Sequence, residues 1–173
     1  PIPDETAAPP TELINLFPYY RSKLYAEQEA LKSQSQDFEV VILNPSLLLG
    51  PGDFKMSSTK DIVDFVERKI PALPSGGLSF VDVRDVSKVA ITAMKKGISG
   101  KRYLLGSTNM SFVDFFRRLE RLSGIKSPQL VTPKQPWLAQ LGKYWMQQQQ
   151  RWLGKNGEVE ETALQMGRYF WYL

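Results

Sequence analysis

The sequence predicts an α/β fold built on a parallel sheet, and three observations predict it. Val40, Val41, Ile42 and Leu43 form an unbroken β-rich apolar run, the pattern of a strand covered on both faces. A helical stretch from Pro18 to about Gln34 leads directly into that run, as in the crossover half of a βαβ unit. Further helical stretches then alternate with the short strand candidates "LSFVDV" and "KRYLLGS". Together they make about three strands among five or six helices, which is α/β but too few strands for a complete doubly wound sheet. A strand such as Val40–Leu43 needs hydrogen-bonding neighbours on both edges, more than the rest of the chain offers.

The elements follow in order. In "PYYRSKLYAEQEALKSQ", Tyr20, Leu24 and Leu31 share one helical face and Glu27 interrupts the stripe. Pro18 suits a first helical turn, where a missing N–H costs little. "STKDIVDFVERKI" reads as a second amphipathic helix, with Ser58 and Asp61 placed as a capping box and Ile62, Phe65, Val66 and Ile70 keeping the period. Asp82 is placed to cap "VRDVSKVAITAMKKG", whose Val86, Val89, Ala90 and Ala93 line one face, with Gly97 just past the end. Ser111 and Asp114 cap "SFVDFFRRLERLSG", which stops at Gly124. Beyond "IKSPQLVTPKQP" the composition shifts. Trp137, Leu141, Trp145 and Trp152 fall on a helical stripe that also brings in Tyr144. It suits core or interdomain packing first, then a lid over an apolar ligand or a partner-binding face, and a membrane-surface helix least, because its polar side carries glutamine more than lysine or arginine. "EVEETALQMGRYFWYL" reads as a helix running into an extended end. The expected organisation is a sheet-forming part over residues 1–56, subdomain elements over 57–136, and aromatic-rich helices over 137–173.

Composition excludes several function classes. The chain has 173 residues, 42% hydrophobic and 23% charged, as expected of a soluble globular protein with a real core. It contains no cysteine and no histidine. Disulfides, thiolate or histidine metal sites, and Ser-His-Asp or Cys-His catalytic sets are therefore impossible within it. A reducing, cytoplasmic setting is expected. Acid–base chemistry falls to Tyr, Lys, Asp and Glu. The net charge is +4. The basic clusters Lys95, Lys96, Lys101, Arg102 and Arg117, Arg118, Arg121 sit beside acids on helix flanks. They read as solvated faces, and no nucleic-acid partner is expected. No apolar run approaches the roughly 20 residues of a membrane-spanning helix. "PIPDETAAPP" has the acidic, proline-rich character of a surface loop and not of a signal peptide.

The chemistry-bearing candidate is Tyr19, four residues ahead of Lys23. In a helix that spacing puts both on one face, one turn apart. A lysine ammonium held near a phenol favours the phenolate and lowers its pKa from about 10, which makes tyrosine a usable acid or base. Tyr20 and Tyr25 have no lysine at that spacing and read as packing residues. Asp82, Arg84 and Asp85 suit a helix cap and an ion pair as well as they suit a substrate contact. Gly97 and Gly100 follow a helix and precede a strand, the wrong order for a phosphate loop.

Context raises the Tyr–Lys pair above its spacing. "YYRSKLYAE", then "NPSLLLGPGD", then "SFVDVRDVSKVA" occur in that order. The set, covering about Asp4 to Pro128, resembles the extended short-chain dehydrogenase/reductase family, and most of all its dihydroflavonol-reductase-like branch of NAD(P)-dependent epimerases, dehydratases and reductases. The resemblance implies a Rossmann-type doubly wound parallel sheet with a small α/β substrate subdomain, of which this chain is the carboxyl-terminal portion. It implies that Tyr19 passes a proton to or from the substrate oxygen while hydride moves to or from nicotinamide. Lys23 is then the residue that holds the nicotinamide ribose, Ser22 a packing residue, and Pro45, Ser46 and Leu47 the turn alongside the nicotinamide ring. The implied cofactor is NAD or NADP. The implied substrate is a small carbonyl compound, alcohol or nucleotide-sugar.

A glycine-rich dinucleotide turn is absent from the sequence. So are a supported match to the family's catalytic Ser/Thr and a residue that tells NAD from NADP. The resemblance places all three ahead of residue 1, so the chain is expected to be half or more of a larger reductase. Its partner is then the N-terminal Rossmann half, in the same or a separate chain, with a homo-oligomer also possible for the family. The alternative expectation is a non-catalytic relative kept as a structural or assembly subunit of a larger complex.

Overall fold

A computed structural model describes residues 4–132 and 166–173. The aromatic stripe from Trp137 to Trp152 lies outside the described residues. The elements are α1 (Thr11–Asn15), α2 (Pro18–Lys32), β1 (Ile42–Pro45), β2 (Leu47–Leu49), α3 (Lys60–Val66), β3 (Gly77–Asp82), α4 (Val83–Lys96), β4 (Arg102–Leu105), β5 (Thr108–Ser111), α5 (Phe112–Ser123) and β6 (Phe170–Trp171). The fold is α/β, and the registered strand pairs are all parallel. β1 pairs with β4, and β3 lies between β2 and β5 with β6 also on it. The chain forms two compact units. The first comprises Pro1–Ser58, Ser79–Asn109 and Tyr172–Leu173, and the second Thr59–Leu78 and Met110–Trp171.

In the first unit, Ile42 pairs with Arg102 and Pro45 with Leu105. The strand begins two residues later than the apolar run suggests. Val40 is held out of the ladder because its N–H donates to Ser99 Oγ (3.1 Å) and its carbonyl accepts from the Gly100 N–H (2.7 Å). Among the described residues β1 pairs with β4 alone, and its residues are half-buried or exposed, not covered on both faces. The edge of β4 away from β1 is occupied, since Glu5 Oε1 accepts the Leu104 N–H at 3.1 Å. α4 starts on Asp82, whose side chain accepts the Arg84 N–H at 2.8 Å. Val86, Ala90 and Ala93 are half-buried on one side of α4, while Val89 is exposed. The core here includes Phe17, Phe80 and Val81.

In the second unit, Phe65, Leu73 and Phe116 form a buried cluster, with Ile70, Phe112, Val113, Phe115, Leu119 and Ile125 against it. The Phe65 and Phe116 rings lie 5.5 Å apart. Ser111 caps α5 as expected, accepting the Asp114 N–H at 3.1 Å, and Gly124 ends the helix at φ 72°. α3 departs from expectation. It begins after Thr59, with no side-chain cap, because the Ser58 N–H goes instead to Asp53 Oδ2 at 2.9 Å. β3 and β6 meet where Gly76 allows it. A Cβ there would lie 2.2 Å from the Tyr169 carbonyl oxygen, inside any possible contact.

Candidate functional site

The site is built on the first turns of α2. Phe17 precedes Pro18 and is 2% exposed, a burial that stabilises by about 1.5–3 kcal/mol. It meets the Tyr20 ring edge-on at 6.1 Å. With that side of the turn turned inward, Tyr19 points out and is 60% exposed. Lys23 Nζ lies 5.4 Å from the Tyr19 ring centroid, within cation–π range. Among the described residues neither the Tyr19 hydroxyl nor the Lys23 ammonium has a hydrogen-bond or ion-pair partner. The pair is therefore one face carrying two free donors, a phenol and a cation.

Tyr20 differs from its neighbour. Burial first, and the adjacent Tyr19 second, raise its phenol above the usual value. Tyr25 is 55% exposed and does not pack as expected. Ser22 does not pack either. It is exposed, and its hydroxyl donates to the Tyr19 carbonyl at 2.7 Å, a back-bond within the first turn.

Pro45, Ser46 and Leu47 lie at the carboxyl end of β1 and the start of β2, in the same unit as Tyr19 and Lys23. Pro45 is exposed and ends β1. Ser46 is held by its N–H (2.9 Å) and its hydroxyl (3.1 Å), both donating to the Leu105 carbonyl. Leu47 pairs with Phe80. Ligands of open α/β sheets bind beyond carboxyl ends of strands, and this turn occupies such a position.

Three residues of the site were not anticipated as a group. Glu27 Oε2 accepts from Asn44 Nδ2 at 2.9 Å, and Glu27 Oε1 faces Arg102 Nη1 at 3.5 Å. Arg102 also donates to the carbonyls of Ala7 (2.6 Å) and Glu5 (3.2 Å). Its side chain is 25% exposed, so it is not on a solvated face as its basic cluster suggested. The sequence signal was the charge at Glu27 inside an otherwise apolar helical stripe.

Other candidates resolve locally. Asp82 caps α4 and pairs with Arg84, which holds its carboxyl down at about 2. Asp85 pairs with Lys88 at 3.0 Å. Gly97 ends α4 in an extended conformation, and Gly100 turns at φ 79°. No helix among the described residues is long and apolar enough to cross a membrane.

Comparison with known proteins gives consistent likenesses. A family model described as NAD dependent epimerase/dehydratase family matches residues 1–106. The chain is 36% identical over 135 residues to a Synechocystis protein named "Putative dihydroflavonol 4-reductase", covering 75% of this chain and 39% of that protein. It is 34% identical over 116 residues to sterol demethylase protein B of Methylococcus capsulatus, covering 66% of this chain and 35% of that one. The chain thus spans under two fifths of the length of these curated relatives. The crystal structure of gox2253 superimposes with a TM-score of 0.68 at 30% identity, over 90% of this chain and 47% of that one.

Proposed function

The chain belongs to the NAD dependent epimerase/dehydratase family, and from that membership we propose that it carries the proton-transfer and nicotinamide-facing part of an NAD(P)-dependent oxidoreductase or epimerase. The reaction is at a carbonyl or alcohol carbon of a small molecule or nucleotide-sugar. A nicotinamide cofactor, when bound, supplies or accepts the hydride. Tyr19 holds the proton exchanged with the substrate oxygen. Lys23 provides a fixed positive charge beside that phenol and a donor for the nicotinamide ribose. Pro45, Ser46 and Leu47 flank the nicotinamide.

The observation that carries this reading is the Tyr19–Lys23 face. Its ammonium is 5.4 Å from the phenol ring, and both donors are unengaged among the described residues. That donor set suits a ribose hydroxyl and a developing alkoxide. Further support comes from β1. Ile42 and Ser46 donate their N–H groups to the β4 side, so by the alternation of a parallel ladder Leu43 faces the opposite edge. A further strand, from the same or another chain, would complete the sheet there and bring the dinucleotide turn with it.

Tyr19→Phe in the full-length protein tests the reading. Removing general acid–base catalysis is expected to lower kcat by about 10²-fold or more, measured as NAD(P)H oxidation with a carbonyl substrate. An unchanged rate would end the proton-transfer assignment and favour a structural or assembly role.

A further inference from the structure

We propose that Glu27 is a positioning residue: one half-buried carboxylate that holds the helix carrying Tyr19 and Lys23 against the strand end carrying Pro45, Ser46 and Leu47. The inference rests on the function proposed above and adds to it a residue with no contact to cofactor or substrate.

Glu27 follows Lys23 by four residues, one turn along the same side of α2. Its two carboxylate oxygens are used in two directions. Oε2 accepts from Asn44 Nδ2 at 2.9 Å, and Asn44 immediately precedes Pro45. Oε1 faces Arg102 Nη1 at 3.5 Å, on the strand paired with β1. Arg102 in turn donates to the carbonyls of Ala7 and Glu5. The network therefore also reaches the segment ahead of Tyr19, which Glu5 fastens to β4 through the Leu104 N–H.

Stability alone does not account for a carboxylate here. The Glu27 side chain is 15% exposed, in a helical stripe otherwise made of Tyr20, Leu24 and Leu31. Partly buried charge is costly unless paired, and an apolar residue often serves packing as well or better. What the carboxylate adds is direction. A hydrogen bond fixes how a helix is rotated and advanced against a strand, whereas aliphatic contacts let it slide. Displacement of a reacting group by about 1 Å can cost about 10²-fold in rate. Glu27 fixes both parts of the cofactor-facing surface to one another through a single residue.

The test is titration of the full-length protein with NADPH and with NADH, followed by nicotinamide fluorescence. Glu27→Ala is expected to weaken the tighter-binding cofactor about tenfold. Glu27→Gln, which keeps an oxygen for Asn44 Nδ2, is expected to lose about threefold or less. Lys23→Met should weaken binding at least as much as Glu27→Ala. Phe116→Leu, a destabilising change in the core of the other unit, should leave the affinity unchanged. If Lys23→Met weakens binding while Glu27→Ala binds like the parent, or if Phe116→Leu weakens it as much as Glu27→Ala, the positioning role is overturned and the proposed function stands. If Lys23→Met has no effect, or the parent binds neither cofactor, the cofactor reading falls and Glu27's role with it. Should Glu27→Ala not fold, Glu27→Gln and Asn44→Ala carry the comparison, and parent-like affinity in both overturns the role.

Discussion

Asp82 accepts hydrogen bonds from the Arg84 guanidinium Nε at 2.9 Å and from the Arg84 backbone N–H at 2.8 Å. The guanidinium bond first, and the backbone bond second, hold its carboxyl down at about 2. A carboxyl lowered on folding contributes stability that is fully present above its unfolded value and disappears as pH falls through the folded one. The window here runs from about 4 down to about 2. Asp82→Asn keeps a good capping side chain but has no carboxyl to titrate. Thermal melts at pH 7 should therefore place the parent above the variant, and the gap should close as the pH drops towards 2. A gap that stays constant to pH 2 would mean the Asp82–Arg84 pair is not formed in solution. The cap itself was legible in the sequence, as an Asp directly ahead of an amphipathic run. Its pairing with Arg84 was readable only as one of two options, because two-residue spacing permits an ion pair without requiring it.

α3 shows where local sequence signals mislead. The apolar period runs through Ile70 and predicts a helix to that point, yet α3 ends at Val66. Arg68 adopts φ 57°, a left-handed conformation usually given to glycine. The Arg68 N–H donates to the Phe65 carbonyl (2.9 Å) and the Lys69 N–H to the Asp64 carbonyl (2.8 Å), the bond pattern of a Schellman ending. No glycine announces it, so periodicity carried the expectation too far. Ile70 still joins the core, because the turn folds it back against the same cluster. α5 ends on Gly124 in the same left-handed region, φ 72°, and there the glycine made the stop legible. Arg68→Gly should relieve the Cβ strain and raise unfolding stability by about 0.5–1 kcal/mol in urea titrations, after allowing for the added freedom of the unfolded chain. Arg68→Ala keeps the Cβ and should give no such gain. Equal effects from both would show that the ending is not strained.

For the whole chain, the α/β class was legible because β-rich runs alternate with amphipathic helices, and parallel pairing of β1 with β4 and of β2 with β3 follows from that alternation. The short strands β2 and β5 were not legible as separate strands, since their pairing is set by distant backbone, whereas β6 falls within the extended end that the sequence led one to expect. Tyr19 and Lys23 could be placed on one face from spacing alone, whereas the Glu27–Asn44–Arg102 network joins residues 17 and 75 positions apart and could not. What the chain holds also bounds what it binds by itself. The cofactor-facing groups proposed here reach only the nicotinamide end, and the sequence contains no glycine-rich turn opening a helix for a pyrophosphate. Hydrogen bonds to charged groups contribute about 1.5–3 kcal/mol each. Lys23 as one such contact and the neutral Tyr19 hydroxyl as an ordinary one, about 0.5–1.5 kcal/mol, together supply roughly 2–4.5 kcal/mol, against the roughly 8 kcal/mol that micromolar affinity requires, before any cost of ordering the ligand is subtracted. Titration of the 173-residue chain with NADH or NADPH, read by calorimetry or nicotinamide fluorescence, should show no saturation below about 1 mM. A clean micromolar isotherm would mean that a complete dinucleotide site is present within these residues, built from groups other than the Tyr19–Lys23 face and the Pro45–Leu47 turn.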